Sequence, residues 1–355
     1  MNISTILDGA AQHFPSDLLL QEGSPPAVRI HGILNSTKVP ALTESDLKEM
    51  LTEITPDSLW KQIEQKKDVE FIHAEPPKTR YRVTLFHSNG QLIASIRILP
   101  YETPSLSLLE LPPVFKEISD FKQGLVLISG RSGSGRSCTT ASLIESINSN
   151  HTRHIVEVSN CPEFSHLSKK SFISQIPPGT ESSMETVLEQ LLHYNADVVI
   201  LDEIRDWTTA RQALRLCDAG TLVIANCLAV TAQDALENLI RIIPESSRQN
   251  FLQNLSFSLQ AISCQRLCRK KKGKGRAVAT EIIRSAPILT TALIEQDFNR
   301  IEKLIQSGQS DMRSFDQDLD RLVRAEHISE QEALKQTLNP DSMQMLLRGF
   351  GARTK

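Results

Sequence analysis

The segment Gly130-Arg131-Ser132-Gly133-Ser134-Gly135-Arg136-Ser137 carries the most specific chemistry in the chain. It fits the phosphate-loop pattern G-x-x-x-x-G-K-[ST], with arginine at the lysine position. Glycines in such a loop let successive backbone N–H groups turn inward around a phosphate. A following helix N-terminus adds positive potential. Gly130, Ser132, Gly133, Ser134, Gly135, Arg136, Ser137 and Cys138 are therefore candidates for holding a nucleotide. Ser137 would offer its hydroxyl to Mg²⁺. Arg136 is charged and reaches phosphate, but its planar fork is not a compact ammonium. The plainer alternative is a glycine-rich turn without a ligand.

A second acidic element lies downstream, where Val198-Val199-Ile200-Leu201 runs into Asp202-Glu203. In phosphate-loop enzymes an acid at the end of a buried strand holds Mg²⁺, and a neighbour orients the attacking water. Asp202 is thus the candidate metal ligand beside Ser137, and Asp202 and Glu203 are the candidate catalytic acids. The plainer alternative is a strand that ends in solvated carboxylates.

These residues need particular elements to position them. The loop requires a strand before it, Leu125–Ser129, and a helix after it, Ser137–Ile147. From Gly124 the pattern is apolar strand, glycine loop, helix and strand again, which predicts a βα architecture. Gly124–Ser129, Ile155–Val158, Val198–Leu201 and Thr221–Ala225 are short apolar runs suited to a parallel sheet buried on both faces. Beyond Pro287 the chain reads as helical, with Asp297–Ser307 and Ser314–Ala325 amphipathic and Ile328–Ala333 a capped helix start.

The first hundred residues predict a small α+β domain. Ser16–Leu20 reads as a capped turn entering a strand, and Ala27–Gly32 as a strand closed by a glycine turn. Arg80–Phe86 and Leu92–Leu99 alternate as paired strands around Ser88-Asn89-Gly90. Leu99–Pro113 has the proline content of a linker.

Composition sets limits on function. With 355 residues the chain exceeds what one core usually supports. Hydrophobic residues at 40% and charged residues at 23% give an ordinary globular balance. A net charge of -3 gives no bulk attraction to nucleic acid or anionic membrane. No basic n-region or long apolar run opens the chain, so a cytoplasmic protein is expected. Six cysteines occur without a Cys-x-x-Cys pair, as expected of reduced structural thiols. Cys264 and Cys268, read as one helical turn apart, would supply half a metal site at most.

The order of these motifs resembles the secretion ATPase superfamily, in particular the PilT/PilU branch of type IV pilus retraction (twitching motility) motors. The likeness runs over nearly the whole chain. Ser16-Asp17-Leu18, Pro25-Pro26 and Arg29-Ile30-His31-Gly32 match the opening of the family's N-terminal domain. Asp202-Glu203-Ile204-Arg205-Asp206 matches its Walker B segment. Ser256–Ser263 with Gln265-Arg266-Leu267 matches its late helix, and Gly275-Arg276 with Thr280–Ile283 its closing hairpin. The resemblance implies an N-terminal PAS-like α+β domain over 1–103 and a linker over 104–118. A RecA-like phosphate-loop domain over 119–286 and a C-terminal helical subdomain over 287–355 would follow. It further implies a hexameric ring, homomeric or mixed with a paralogue, that binds ATP and Mg²⁺ between neighbours. That ring would sit peripherally at the inner membrane, against a platform protein. Arg82 and Arg97 stand where the family's nucleotide-contacting arginines fall, and read equally well as solvated strand residues.

Departures from the family pattern bear on hydrolysis. The family's Ile-Glu-Asp-Pro-x-Glu box reads Val158-Ser159-Asn160-Cys161-Pro162-Glu163 here, placing Ser159 at the general-base position. Its Thr-Leu-His-Thr box has become Asn226-Cys227-Leu228-Ala229. His193 replaces an arginine before the Walker B strand, and the Ala-Ile-Arg-Asn-Leu-Ile-Arg-Glu signature is absent from Ile288–Gln296. The Asp202-Glu203 pair, where the family has Gly-Glu, offers an alternative acidic centre. Two readings stay open: a PilT-like motor ATPase, or a non-hydrolysing nucleotide-binding subunit that works with an active paralogue. A third, nucleic-acid translocation, would use the basic stretch Arg266–Arg276. Without interleaved aromatics that stretch reads better as a solvated hairpin, so nucleic acid is not an expected partner.

Overall fold

The computed structural model describes Ile3, Ile6 and residues 15–30, 33–75, 79–100, 102–176, 184–272 and 275–349. Two compact units emerge: Met1–Thr103 with Asn160–Ser165, and Pro104–Ser159 with His166–Lys355.

The first unit is built on a 6-stranded sheet in the order β3-β2-β1-β6-β5-β4. Its elements are β1 (Pro15–Gln21), β2 (Ala27–Ile30), β3 (Ile33–Ser36), α1 (Glu44–Ile54), α2 (Asp57–Glu64), β4 (Val69–Glu75), β5 (Thr79–Ser88) and β6 (Gln91–Leu99). All pairings are antiparallel. The expected β5–β6 hairpin is present, with Asn89 and Gly90 at φ 52° and 82°. Positive φ at both central residues matches the twist of the flanking strands, which is why Asn-Gly suits this turn. Helix α1 opens on a capping box between Thr43 and Asp46. Its Leu47, Met50, Leu51 and Ile54 fall on one face and pack with Leu18, Leu20, Val83, Leu85 and Ile96 of the sheet. Ser16 and Asp17, expected in a turn, lie inside β1 with an irregular register at Pro15–Asp17. The expected turn at His31-Gly32 lies outside the described residues.

The second unit begins with α3 (Val114–Asp120), β7 (Gly124–Gly130), α4 (Arg136–Asn150), β8 (His154–Val158) and β9 (Phe172–Ile176). It continues with α5 (Met184–Leu191), β10 (Val198–Leu201), α6 (Trp207–Asp218), β11 (Leu222–Leu228), α7 (Ala232–Arg241) and α8 (Glu245–Ser258). The hairpin β12 (Leu259–Arg269) and β13 (Arg276–Arg284) precedes α9 (Pro287–Ile294), α10 (Phe298–Ser307), α11 (Phe315–Arg324), α12 (Glu330–Gln336) and α13 (Pro340–Leu347). A 7-stranded sheet runs β13-β12-β7-β11-β10-β8-β9. Every pairing is parallel except β12 with β13. Alternate residues feed two cores. Val126, Ile128, Val198, Ile200, Leu222 and Ile224 pack against α3 and α4. Leu125, Leu127, Val199, Leu201, Val223 and Ala225 pack on the opposite face with the remaining helices. Burial on both faces explains why these strands read as unbroken apolar runs.

Several expectations change. Ser256–Ser263 is not one helix: α8 stops at Ser258 and Leu259–Arg269 is a strand. Leu252 and Leu255 share a helical face, and Leu259 continues that spacing by coincidence of the turn into β12. Val114–Asp120 is a helix with Phe115 and Ile118 buried, rather than loose linker. Because β12 is extended, Cys264 and Cys268 stand about 13 Å apart along one strand, too far to share a metal. No cluster of potential metal ligands occurs among the described residues. No helix among them is long and apolar enough to cross a membrane.

A buried carboxylate helps tie the C-terminal helices to the sheet. The side chain of Asp318 is 0% exposed, and its Oδ1 accepts from Arg313 at 2.9 Å and Arg321 at 2.6 Å. Its Oδ2 accepts from the Thr280 N–H at 2.8 Å and the Thr280 hydroxyl at 3.1 Å. Removing one partner of such a group strands the others in a dry site. Asp318→Ala is therefore expected to cost about 3–5 kcal/mol in urea unfolding; a loss below about 1 kcal/mol would contradict this role.

Candidate functional site

The phosphate loop leaves β7 through Gly130, whose φ is 150°. A Cβ there would sit 2.3 Å from Ser134 Oγ and 2.8 Å from the Gln265 carbonyl, so the close turn admits only glycine. Gly135 caps α4 in the left-handed region at φ 93°. No side chain caps this helix. The N–H groups of Gly135, Arg136 and Ser137 have no hydrogen-bond partner among the described residues. A helix start whose orphan donors converge without a cap fits a phosphate oxyanion. Ser134 N–H bonds the Arg131 carbonyl at 3.1 Å, closing the turn inside the loop.

Neighbouring strands hold the first turn of α4 in place. Gln265 of β12 donates Nε2 to Thr139 Oγ1 at 2.7 Å, and Thr140 Oγ1 donates to Asn226 Oδ1 of β11 at 3.1 Å. Both side chains are buried. Since β12 and β11 flank β7 on either side, the helix start is gripped from two directions. Sequence reasoning missed these positioning roles. Their one signal was a polar residue set inside an apolar strand run, Asn226 after Ile224-Ala225 and Gln265 after Cys264.

The acidic edge follows the strand alternation. Val198 and Ile200 face α4, and the same parity carries Asp202, which is exposed, to that side. Asp202 N–H bonds the Val158 carbonyl at 3.2 Å, and Ile204 N–H bonds the Asn226 carbonyl at 3.0 Å. Asn226 therefore lies between the Walker B turn and the helix that carries Ser137. Glu203 takes the opposite parity and lines a small cavity with Leu127, Cys227 and Asn238. Its carboxylate is clasped by Arg205, through Nε at 2.8 Å and Nη2 at 2.6 Å. That hydrogen bond, and then the charge of Glu203, hold the Arg205 guanidinium above its usual range. Burial pushes the Cys227 thiol up to about 12, with Cys264 and Glu203 adding and Arg136 opposing. Arg136 and Glu203 thus lie within electrostatic reach of one thiol. Ser159 is buried, and Leu228, in the box where the family has histidine, is 49% exposed.

The first unit places its two candidate arginines opposite each other, Arg82 on β5 paired with Arg97 on β6. Arg97 Nε donates to Asp17 Oδ1 at 3.0 Å, and Arg29 joins the same carboxylate at 3.4 Å. Arg82 Nη2 meets Glu163 Oε1 at 3.0 Å. Arg80 donates to the carbonyls of Glu163 and Pro162 at 2.9 and 3.1 Å. These arginines bind Asn160–Ser165 into the first unit, an attachment that its place in the sequence did not announce. Within their own unit both guanidinia are engaged by carboxylates. Three lysines of the basic hairpin are also compensated: Lys270 pairs with Glu110 at 3.3 Å, and Lys271 and Lys272 with Glu326 at 3.5 and 3.1 Å. Lys274 lies outside the described residues.

Comparison with known proteins gives a consistent likeness. A protein-family profile described as "Type II/IV secretion system protein" matches residues 78–349. A "Twitching motility protein" of Neisseria gonorrhoeae is 30% identical over 320 residues, 90% of this chain and 86% of that protein. A "Type IV pilus retractation ATPase PilT" of Pseudomonas aeruginosa is 29% identical over 96% of this chain and all (100%) of its own length. The crystal structure of a pilus retraction motor PilT with bound ADP superposes with a TM-score of 0.85 at 30% identity, covering 96% of this chain and 98% of the other.

The thiols provide a check on this geometry. Burial lifts Cys217, Cys227, Cys264 and Cys268 to about 12, so at pH 8 only about 1 in 10⁴ of each is thiolate. Cys161 is buried, whereas Cys138 in the first turn of α4 is partly exposed. One thiol of the native chain is expected to react rapidly with an aromatic disulfide reagent at pH 8. Cys138→Ala should remove that phase; a fast phase that survives it would contradict the burial pattern.

Proposed function

This chain belongs to the type II/IV secretion system protein family as a PilT-like member, and from that premise we propose that it binds ATP with Mg²⁺ at Gly130–Ser137 and serves as a subunit of a motor ring. The observation that carries the reading is the uncapped start of α4. Glycines bend the chain beneath it, and unbonded N–H groups converge where phosphate oxygens would sit. Arg136 would supply the cation beside them. Ser137 and Asp202 would hold Mg²⁺, which supplies charge neutralisation to the phosphates when bound.

Binding and turnover make different demands. Turnover also needs a positioned base and charge stabilisation in the transition state. Here Ser159 and Leu228 supply neither a base nor a histidine. Glu203 is the acid available, and Arg205 fixes its carboxylate. Each lost group of this kind costs about two orders of magnitude in rate. The Arg205 clasp also favours a second reading, a non-hydrolysing subunit that binds ATP and assembles with an active paralogue. In either reading the ring would be hexameric and would lie at the cytoplasmic face of the inner membrane, against a pilus platform protein. With three of its lysines ion-paired, the hairpin lends no support to nucleic acid as a partner.

The test is steady-state ATP hydrolysis by the purified full chain with Mg²⁺. Slow turnover that falls at least about tenfold in both Arg136→Ala and Glu203→Gln is expected of a working motor with Asp202-Glu203 at its centre. Turnover that Glu203→Gln leaves unchanged would remove Glu203 from the mechanism. Bound ATP without turnover would establish the second reading.

A further inference from the structure

Glu203 makes a contact that a working base would have to lose. Its Oε2 accepts from Arg205 Nε at 2.8 Å and lies 2.6 Å from Nη2 of the same guanidinium. An oxygen that accepts two N–H donors has both lone pairs occupied, so it cannot also accept from an attacking water. We propose that Arg205 is a releasable latch on Glu203, a positioning residue that holds the acid out of the reaction until its own side chain swings away. The proposal rests on the reading of Glu203 as the acid of ATP hydrolysis and assigns that site its regulation.

The two ends of the clasp differ in how firmly they are held. The Glu203 side chain is 13% exposed, whereas that of Arg205 is 74% exposed. An ion pair with one partner mostly in water is weak, because solvent screens it and the long side chain gains freedom on leaving. The clasp therefore biases Glu203 without locking it. The backbone on either side of Arg205 is anchored. Ile204 is buried, and its N–H bonds the Asn226 carbonyl at 3.0 Å. Asp206 caps α6 by accepting from the Thr209 N–H at 2.8 Å. Arg205 can thus leave by side-chain rotation alone, while the turn after β10 keeps its shape.

Space for the released acid is present as well. A cavity of about 290 Å³ lies against Glu203, lined also by Leu127, Cys227, Leu228 and Asn238. Leu127 belongs to β7, so this space reaches the strand that carries the phosphate loop. A carboxylate beside such a space can change rotamer without repacking the core. Asp202 adds a weaker electrostatic pull on the same guanidinium, after the bond and charge of Glu203. The two acids together draw Arg205 inward, and an anion brought to its exposed face would compete for it directly.

The experiment measures ATP binding and steady-state turnover of the full chain with Mg²⁺ in the wild type, Arg205→Gln, Arg205→Lys, Glu203→Gln and the Glu203→Gln/Arg205→Gln double variant. Arg205 is exposed, so its replacement leaves the fold intact. Arg205→Gln is expected to raise kcat about three- to fivefold, the most that an exposed ion pair can hold back, with KM for ATP within about twofold. Arg205→Lys, which keeps the charge but not the fork, should fall between the two. The double variant should turn over no faster than Glu203→Gln alone. Unchanged or slower turnover in Arg205→Gln, or the same gain in the Glu203→Gln background, would overturn the latch while leaving Glu203 in place. Turnover that Glu203→Gln leaves unchanged would remove the acid itself and the latch with it. ATP binding without turnover in every variant would also overturn the latch and leave the phosphate loop standing.

Discussion

The parallel alignment of β12, β7, β11 and β10 is the constraint on which the rest of the second unit depends. Parallel strands end together, so the phosphate loop after β7, Asn226 on β11, Asp202 after β10 and Gln265 on β12 all arrive near one sheet edge. A single-residue slip would turn Asp202 away from α4 and bring Glu203 toward it. The two apolar cores prevent that slip, because each strand buries alternate residues on opposite faces. Core packing and site geometry are the same fact seen from two sides.

On that edge the loop meets two demands. It must expose converging N–H groups, and it must hold them still. The close approach of Gly130 to Ser134 and the Gln265 carbonyl, with the left-handed turn at Gly135, meets the first. Gln265 on Thr139 and Asn226 on Thr140 meet the second. Of the residues that changed relative to the family pattern, Arg136 and Asn226 belong to this cradle, and the others lie beyond it. On the proposed reading, phosphate binding and phosphate hydrolysis are separable: the first would rely on backbone geometry, the second on side chains that differ from the family pattern or, for Glu203, are clasped by Arg205.

Much of this was legible in the sequence, for identifiable reasons. The parallel strands stood out because burial on both faces produces continuous apolar runs, and the Asn89-Gly90 hairpin because its positive φ values call for those residues. Helices α10 and α11 announced themselves through amphipathic spacing and α12 through its capped start, and the structure places Asp297, Ser314 and Ser329 at the three N-caps. What escaped was mostly non-local. Strand β12 continues the apolar spacing of α8 without a breaker, so no local rule separates them. Edge strand β9 has Phe172 67% exposed and lacks the apolar signature of its neighbours. The attachment of Asn160–Ser165 to the first unit depends on Arg80 and Arg82, whose partners there lie 79 to 83 positions further along the chain. The clasp of Arg205 on Glu203 is local in sequence, yet depends on the turn geometry after Leu201.

The central claim is that the backbone at the start of α4 is a phosphate cradle. Amide hydrogen exchange of the full chain, with and without ATP and Mg²⁺, tests it most directly. The account predicts that peptides covering 130–138 exchange at least about tenfold more slowly when ATP is present, because their N–H groups gain phosphate partners. Unchanged exchange over 130–138, with protection appearing elsewhere or not at all, would contradict it.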